Sequence, residues 1–131
     1  MNDVPALDPT GPTQELVSDV FARGCASRAV FEDVTSKWAS LALLALGEGR
    51  YRFNALRRRI DGVSERMLSQ TLQTLERDGM LTREVLTAIP PRVEYSLTPL
   101  GAGVAEQLRG LVELLEASVP ELQTARERER G

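Results

Sequence analysis

Between Phe53 and Leu81 the apolar positions predict two short helices joined by a tight turn. Phe53, Leu56 and Ile60 recur at helical spacing, and Asp61-Gly62 then breaks the run. Ser64 is placed to cap a second helix whose apolar side is Leu68, Leu72 and Leu75. Asp78-Gly79 ends that helix, with the glycine suited to a left-handed C-terminal turn. Two helices joined by a short glycine-containing turn form the helix-turn-helix pattern, whose second helix can enter a DNA major groove.

The flanking pattern extends this unit in both directions. Residues 1–12 carry three prolines, a glycine and two aspartates and read as a disordered arm. Thr13 to Ala22 is expected to form a short helix with Leu16, Val17, Val20 and Phe21 on one face. It is too short to stand alone, so it must pack on its own domain or on a second subunit. Ser27 is expected to cap a turn carrying Val30, Phe31 and Val34. Thr35 is expected to cap a helix with Trp38, Leu41, Leu44 and Ala45, ending at Gly47-Glu48-Gly49, with Trp38 as a core anchor. After the helix-turn-helix, 81–87 and 92–98 alternate around the proline-containing 88–91, which predicts a β-hairpin, or wing. Thr98-Pro99 then opens a helix whose Leu100, Val104, Leu108, Leu111 and Leu115 share a stripe roughly 80° wide, a seam suited to pairing with another helix. Pro120 interrupts it, Ser118 to Glu121 resembles a capping box that restarts a short turn, and 120–131 read as a charged, fraying tail. The expected domain is therefore 13–119, mainly α with one hairpin (α+β).

Composition narrows the function. The chain has 131 residues, enough for one domain with a real core. It lacks an apolar run long enough to span a bilayer, and its start has neither the basic nor the apolar part of a secretory leader, so a cytoplasmic location is expected. It has no histidine and one cysteine, which removes Ser-His-Asp and Cys-His nucleophiles, His-rich zinc sites and an intrachain disulfide. No carboxylate pair stands out in an apolar setting, so neither an enzyme nor a metal or cofactor site is expected. The net charge of −3 is unlike a nucleic-acid binder, but the distribution is not: residues 50–92 hold nine arginines against five acids.

That basic segment coincides with the helix-turn-helix. At about 100° per residue, Arg66, Ser69, Gln70, Gln73 and Arg77 fall opposite Leu68, Thr71, Leu72 and Leu75. Arg matches guanine, Gln adenine and Ser either, so Arg66, Ser69, Gln70 and Gln73 are candidates for base readout. Ser64 and the amides at the helix start join them as a phosphate-binding end. The plainer alternative is a solvated polar face. The absence of an acid among its five members, and the arginine-rich helix before it, argue for DNA. Arg50, Arg52, Arg58 and Arg77 are candidates for phosphate, with one of the flanking Arg57 and Arg59 left for an internal salt bridge. Arg83 and Arg92 are the wing candidates, each weighed against a structural pairing.

The combined spacing resembles a known family. Cys25, Lys37-Trp38, Arg52-Phe53 with Leu56-Arg57, Ser64-x-x-Met67-Leu68, Leu72-x-x-Leu75-Glu76-x-Asp78-Gly79, Arg83 and Pro91-x-Val93-Glu94-Tyr95-x-Leu97-Thr98-x-x-Gly101 look like the HxlR-type regulators, over about Cys25 to Leu108. The resemblance implies a winged helix-turn-helix homodimer that binds a double-stranded DNA operator, often as a repressor. It also implies dimerisation through N- and C-terminal helices, which here bear Leu16, Val20, Leu100, Val104, Leu108, Leu111 and Leu115. In several members the N-terminal cysteine senses electrophiles or oxidants, and Cys25 matches that position. Arg23, Arg28 and the following helix start are expected to lower its pKa; the alternative is a small buried apolar residue. A small-molecule effector is a further possible partner, and a dimeric winged-helix protein-interaction module is the competing function.

Overall fold

The structure is a computed structural model and describes residues 19–130. Along them run α1 (Ala26–Val34), α2 (Lys37–Leu46), α3 (Phe53–Arg59), α4 (Glu65–Arg77), β1 (Leu81–Ala88), β2 (Pro91–Leu97), α5 (Pro99–Ala117) and α6 (Val119–Arg130). The segment α2, KWASLALLAL, is apolar almost all round, and such a helix has to be surrounded. Helices α1, α3, α4 and α5 and strand β2 pack on it, and its Ala42 and Leu43 have no exposed surface. Leu56 of α3, Leu68, Leu72 and Leu75 of α4 and Leu81 of β1 complete the core. Trp38 is half-buried against that core as expected, with the Lys37 ammonium 4.5 Å from its ring centre.

The N-terminal side departs from expectation. The arm, Leu16 and Val17 lie outside the described residues. Residues 19–22, expected to end a helix, instead form a turn in which the Phe21 amide donates to the Asp19 carboxylate at 3.1 Å. An aspartate that takes a backbone amide in this way competes with helix formation. Cys25, and not Ser27, is the N-cap residue of α1. Thr35 closes α1, its hydroxyl donating to the Phe31 carbonyl at 2.7 Å, so Ser36 takes the N-cap of α2. Of the apolar residues that α1 carries, Val34 is buried, Val30 half-buried and Phe31 exposed.

The two strands form an antiparallel hairpin with Leu81 opposite Leu97 and Arg83 opposite Tyr95, and its register shifts between Val85 and Thr87. Glu84 faces Glu94 directly, an unfavourable cross-strand pair. Arg50 offsets it, with Nη1 3.8 Å from Glu84 and 3.9 Å from Glu94. Tyr51 adds a backbone bridge to Tyr95, amide to carbonyl at 3.1 Å one way and 2.8 Å the other. The wing is therefore fastened to the loop that leads into α3.

A second fastening joins α4 to α5. The amides of Gly79 and Met80 return to the carbonyls of Glu76 and Leu75, and Gly79 sits at φ 77°. This is the paired closure that a left-handed glycine allows. Thr98 then clasps the same turn: its hydroxyl donates to the Gly79 carbonyl at 2.6 Å and its amide to the Met80 carbonyl at 3.0 Å. The Thr98 hydroxyl also accepts from the Gly101 amide at 3.0 Å, capping α5 as the sequence predicts. Gly101 and Ala105 are the buried positions of α5, because only small residues let it approach so closely.

Beyond α5 the segment read as a fraying tail is helical. Pro120 falls in the first turn of α6, where its missing N–H costs nothing, and every described side chain of α6 is exposed. Among the described residues no helix is long and apolar enough to cross a membrane.

Candidate nucleic-acid interface

Helix α4 is built as the sequence suggests. The Ser64 hydroxyl accepts from the Met67 amide at 3.0 Å, and Gly62 makes the preceding turn at φ 92°. With Leu68, Leu72 and Leu75 held in the core, Arg66, Gln70, Gln73 and Arg77 are turned out and exposed, while Ser69 is half-buried. The structure thus groups Arg66, Gln70, Gln73 and Arg77 on one outer surface, with Ser64 exposed at the start of the helix. In the cap the Ser64 oxygen accepts, which leaves its O–H as a donor. Glu65 and Glu76 are exposed at the ends of this surface.

The arginines of α3 divide by role. Arg59 grips Glu48 through Nε at 2.9 Å and through Nη2, and the Tyr51 hydroxyl donates to the same carboxylate at 2.7 Å. Those bonds, Arg59 first and Tyr51 second, hold the Glu48 carboxyl down at about 2. Arg59 is thereby the flanking arginine spent on an internal bridge, pinning the α2–α3 loop to α3. Arg57 and Arg58 are exposed, and with Asn54 and Val63 they line a surface depression of about 380 Å³. The sequence leaves open which of Arg57 and Arg59 makes the internal bridge, and it does not mark Asn54. The assignment of the bridge to Arg59 is what singles out Arg57, and a tyrosine and a glutamate upstream were the available signal.

Other expected phosphate contacts fare differently. Arg50 is engaged between the two wing glutamates. Arg52 is the N-cap residue of α3 and exposed, and Arg83 and Arg92 stand exposed on the wing.

Cys25 is almost enclosed, at 5% exposure, with Sγ 2.9 Å from the Ser27 hydroxyl. That hydroxyl bond chiefly, then the amides of Arg28 and Ser27, lowers the thiol pKa against the opposing effect of burial. The expected help from guanidinium charge is not what acts. Arg28 is turned to Glu32 at 2.7 Å and to the Phe21 carbonyl at 3.1 Å.

At the far end of α4, sequence reading missed a carboxyl pair. Asp78 Oδ2 is fully shielded, and burial first, then hydrogen bonding to Asp33 of α1, pushes the Asp78 carboxyl up to about 6. A carboxyl raised above its ordinary value favours the folded state while protonated. That contribution is complete below about pH 4 and lost as pH rises through about 6. Asp78→Asn is therefore expected to raise the melting temperature at pH 7.5, by on the order of 1 kcal/mol in stability, with the gain shrinking towards pH 5. Thermal melts of both proteins across that range check it. A gain that is the same at both pH values would contradict it.

The expected dimer positions also separate. Leu16 lies outside the described residues and Val20 is half-buried. Val104 and Leu108 are half-buried and pack against the chain's own core. Leu100, Leu111 and Leu115 are exposed, joined by Leu114, Val119 and Leu122, which the narrow stripe had omitted.

The family described as HxlR-like helix-turn-helix matches residues 33–123. The HTH-type transcriptional regulator YtfH of Escherichia coli K12 is 50% identical over 109 residues, covering 83% of this chain and 86% of that protein. A solved structure of the transcriptional regulator ytfH from Salmonella typhimurium shares 48% identity at a TM-score of 0.75, over 82% of this chain and 96% of that one. The reduced form of the redox regulator HypR shares 32% identity at a TM-score of 0.68, over 75% and 97%.

Proposed function

The chain belongs to the HxlR-like helix-turn-helix family and is a transcriptional regulator rather than an enzyme, and on that premise we propose that it acts in the cytoplasm as a homodimeric repressor of a pseudo-palindromic operator. The observation that carries this is the outer face of α4, where Arg66, Gln70 and Gln73 are exposed together on a helix fixed at both ends. Their donors and acceptors match base edges in the major groove. Arg57 and Arg58 flank them for phosphate, with Arg77 at the helix end and Arg52, Arg83 and Arg92 around the rim. Two such helices would enter successive major grooves roughly 34 Å apart. The exposed row Leu100, Leu111, Leu114 and Leu115, continued by Val119 and Leu122, supports pairing through α5 and α6.

Binding titrations on the DNA upstream of the protein's own coding sequence, at several salt concentrations, test this. Arg58→Ala is expected to weaken operator and non-operator DNA alike and to reduce the salt slope by about one. An unchanged slope would remove Arg58 from the phosphate contacts.

Relief of repression by an electrophile or oxidant would act through Cys25, whose lowered pKa raises its thiolate fraction. HypR is described as a redox regulator, which supports that role. The apolar wing, with Val85, Leu86 and Ile89 exposed, favours the second function, a dimeric protein-interaction module. Lack of DNA binding at low salt, with a stable dimer by light scattering, would establish that alternative.

A further inference from the structure

Between α2 and α5 lies an open groove of about 900 Å³. Its floor is apolar, formed by Leu41 and Leu44 of α2 and by Ala102, Ala105 and Val112 of α5. Placed at about 100° per residue, Ala102 and Ala105 fall on the flank away from Leu100, Leu111 and Leu114, and Val112 lies about 60° from Leu115, the nearest member of that row. The groove therefore stays open when that apolar row is covered. Its far end reaches Glu48 and Arg59, the clamp between α2 and α3.

The charges around it are unevenly committed. Five carboxylates line the groove against three guanidiniums. Each guanidinium is already engaged: Arg59 by Glu48, Arg109 by Glu106 at 2.8 Å, and Arg50 by the wing glutamates. Glu113 and Glu116 are exposed and, among the described residues, form no ion pair or hydrogen bond; Glu113 adds to the field at Arg109, Glu116 does not, and Asp61 of the same lining is exposed and likewise unbonded. An anion entering the groove meets cations that are already neutralised. A cation meets Glu113 and Glu116, neither of them in an ion pair, beside an apolar floor, with Asp61 as a third unpaired carboxylate on the lining.

We propose that this groove binds a lipophilic monocation, an aromatic or alkyl onium, with its body on the α2–α5 floor and its charge facing Glu113 and Glu116. This gives the effector of a transcriptional regulator a chemical class, and its regulatory meaning rests on that function; the binding itself rests on the groove alone. An occupant there packs between α2 and α5, so it bears on the angle between the helix-turn-helix and the pairing helices.

Calorimetric titration of the full chain with tetraphenylphosphonium and with the isosteric anion tetraphenylborate tests the proposal. The phosphonium is expected to bind at one site per chain, and the borate at least tenfold more weakly. The double variant Glu113→Gln/Glu116→Gln is expected to bind the phosphonium roughly tenfold more weakly. Ala102→Trp, which fills the groove from an exposed position, is expected to abolish binding. All three positions are exposed, so circular dichroism should show unchanged folding. No binding of the phosphonium, equal affinity for the two ions, or an indifferent double variant would overturn the proposal. So would a change of sedimentation mass in Ala102→Trp, which would assign the groove to a subunit interface. Operator affinity is measured separately, so a chain that binds the phosphonium and no DNA fails only as an operator-binding repressor.

Discussion

Replacing Gly101 by alanine is expected to destabilise the protein by about 2–3 kcal/mol, at the upper end of what overpacking costs. A Cβ at this position would stand 1.9 Å from the Met80 carbonyl oxygen and 2.8 Å from its carbon. Backbone cannot rotate aside as a side-chain tip can, so α5 would have to move off β1 and the end of α4. That motion would break the bonds that Thr98 makes to Gly79 and Met80. Gly103 supplies the control, since a Cβ there meets nothing within 4 Å. In the same helix, Gly103→Ala should stabilise by up to about 1 kcal/mol through helix propensity alone. Urea denaturation should therefore move the two midpoints in opposite directions. Hydrogen exchange should show the Met80 and Thr98 amides opening earlier in Gly101→Ala. Equal midpoints would mean that the α4–α5 joint is softer than its geometry implies.

The second large effect concerns readout. Arg66→Ala is expected to weaken operator binding by about 1–3 kcal/mol, the value of one bidentate contact to a base, and to leave non-specific binding within a few-fold of the parent. Arg66 is exposed in the first turn of α4, beyond the cap that Ser64 provides, so its loss disturbs neither the cap nor the core. Competition between operator and scrambled duplexes separates the possibilities. If both affinities fall together, Arg66 is a phosphate contact and base readout rests on Gln70 and Gln73.

Much of this fold was legible because local chemistry and burial agree. The alternation of Leu68, Leu72 and Leu75 with polar residues, the serine cap and the closing Gly79 each specify α4, and the structure uses all of them. The hairpin and the start of α5 were marked equally well by prolines and by Thr98. Errors arose where a residue had two plausible partners. Thr35 could cap the helix after it or bond back into the helix before it, and the second won. Helical period alone also does not say whether a face meets its own domain or another, and Val104 and Leu108 are half-buried against their own core.

The interface surface shows the same division. Which side of α4 faces outward follows from its apolar spacing, so the exposed candidates for base readout are visible in the sequence. Which arginine is spent internally does not, because that depends on Glu48 and Tyr51 arriving from a different loop. The Asp33–Asp78 pair and the bridging by Arg50 were hidden for the same reason: each joins residues far apart in the chain.

The most direct measurement is the affinity of the wild-type chain for its own upstream DNA against a scrambled duplex of the same length and composition, at fixed salt near 150 mM. A sequence-specific regulator should prefer the operator by at least about a thousandfold. Equal affinity for the two would contradict the claim that the outer face of α4 reads sequence.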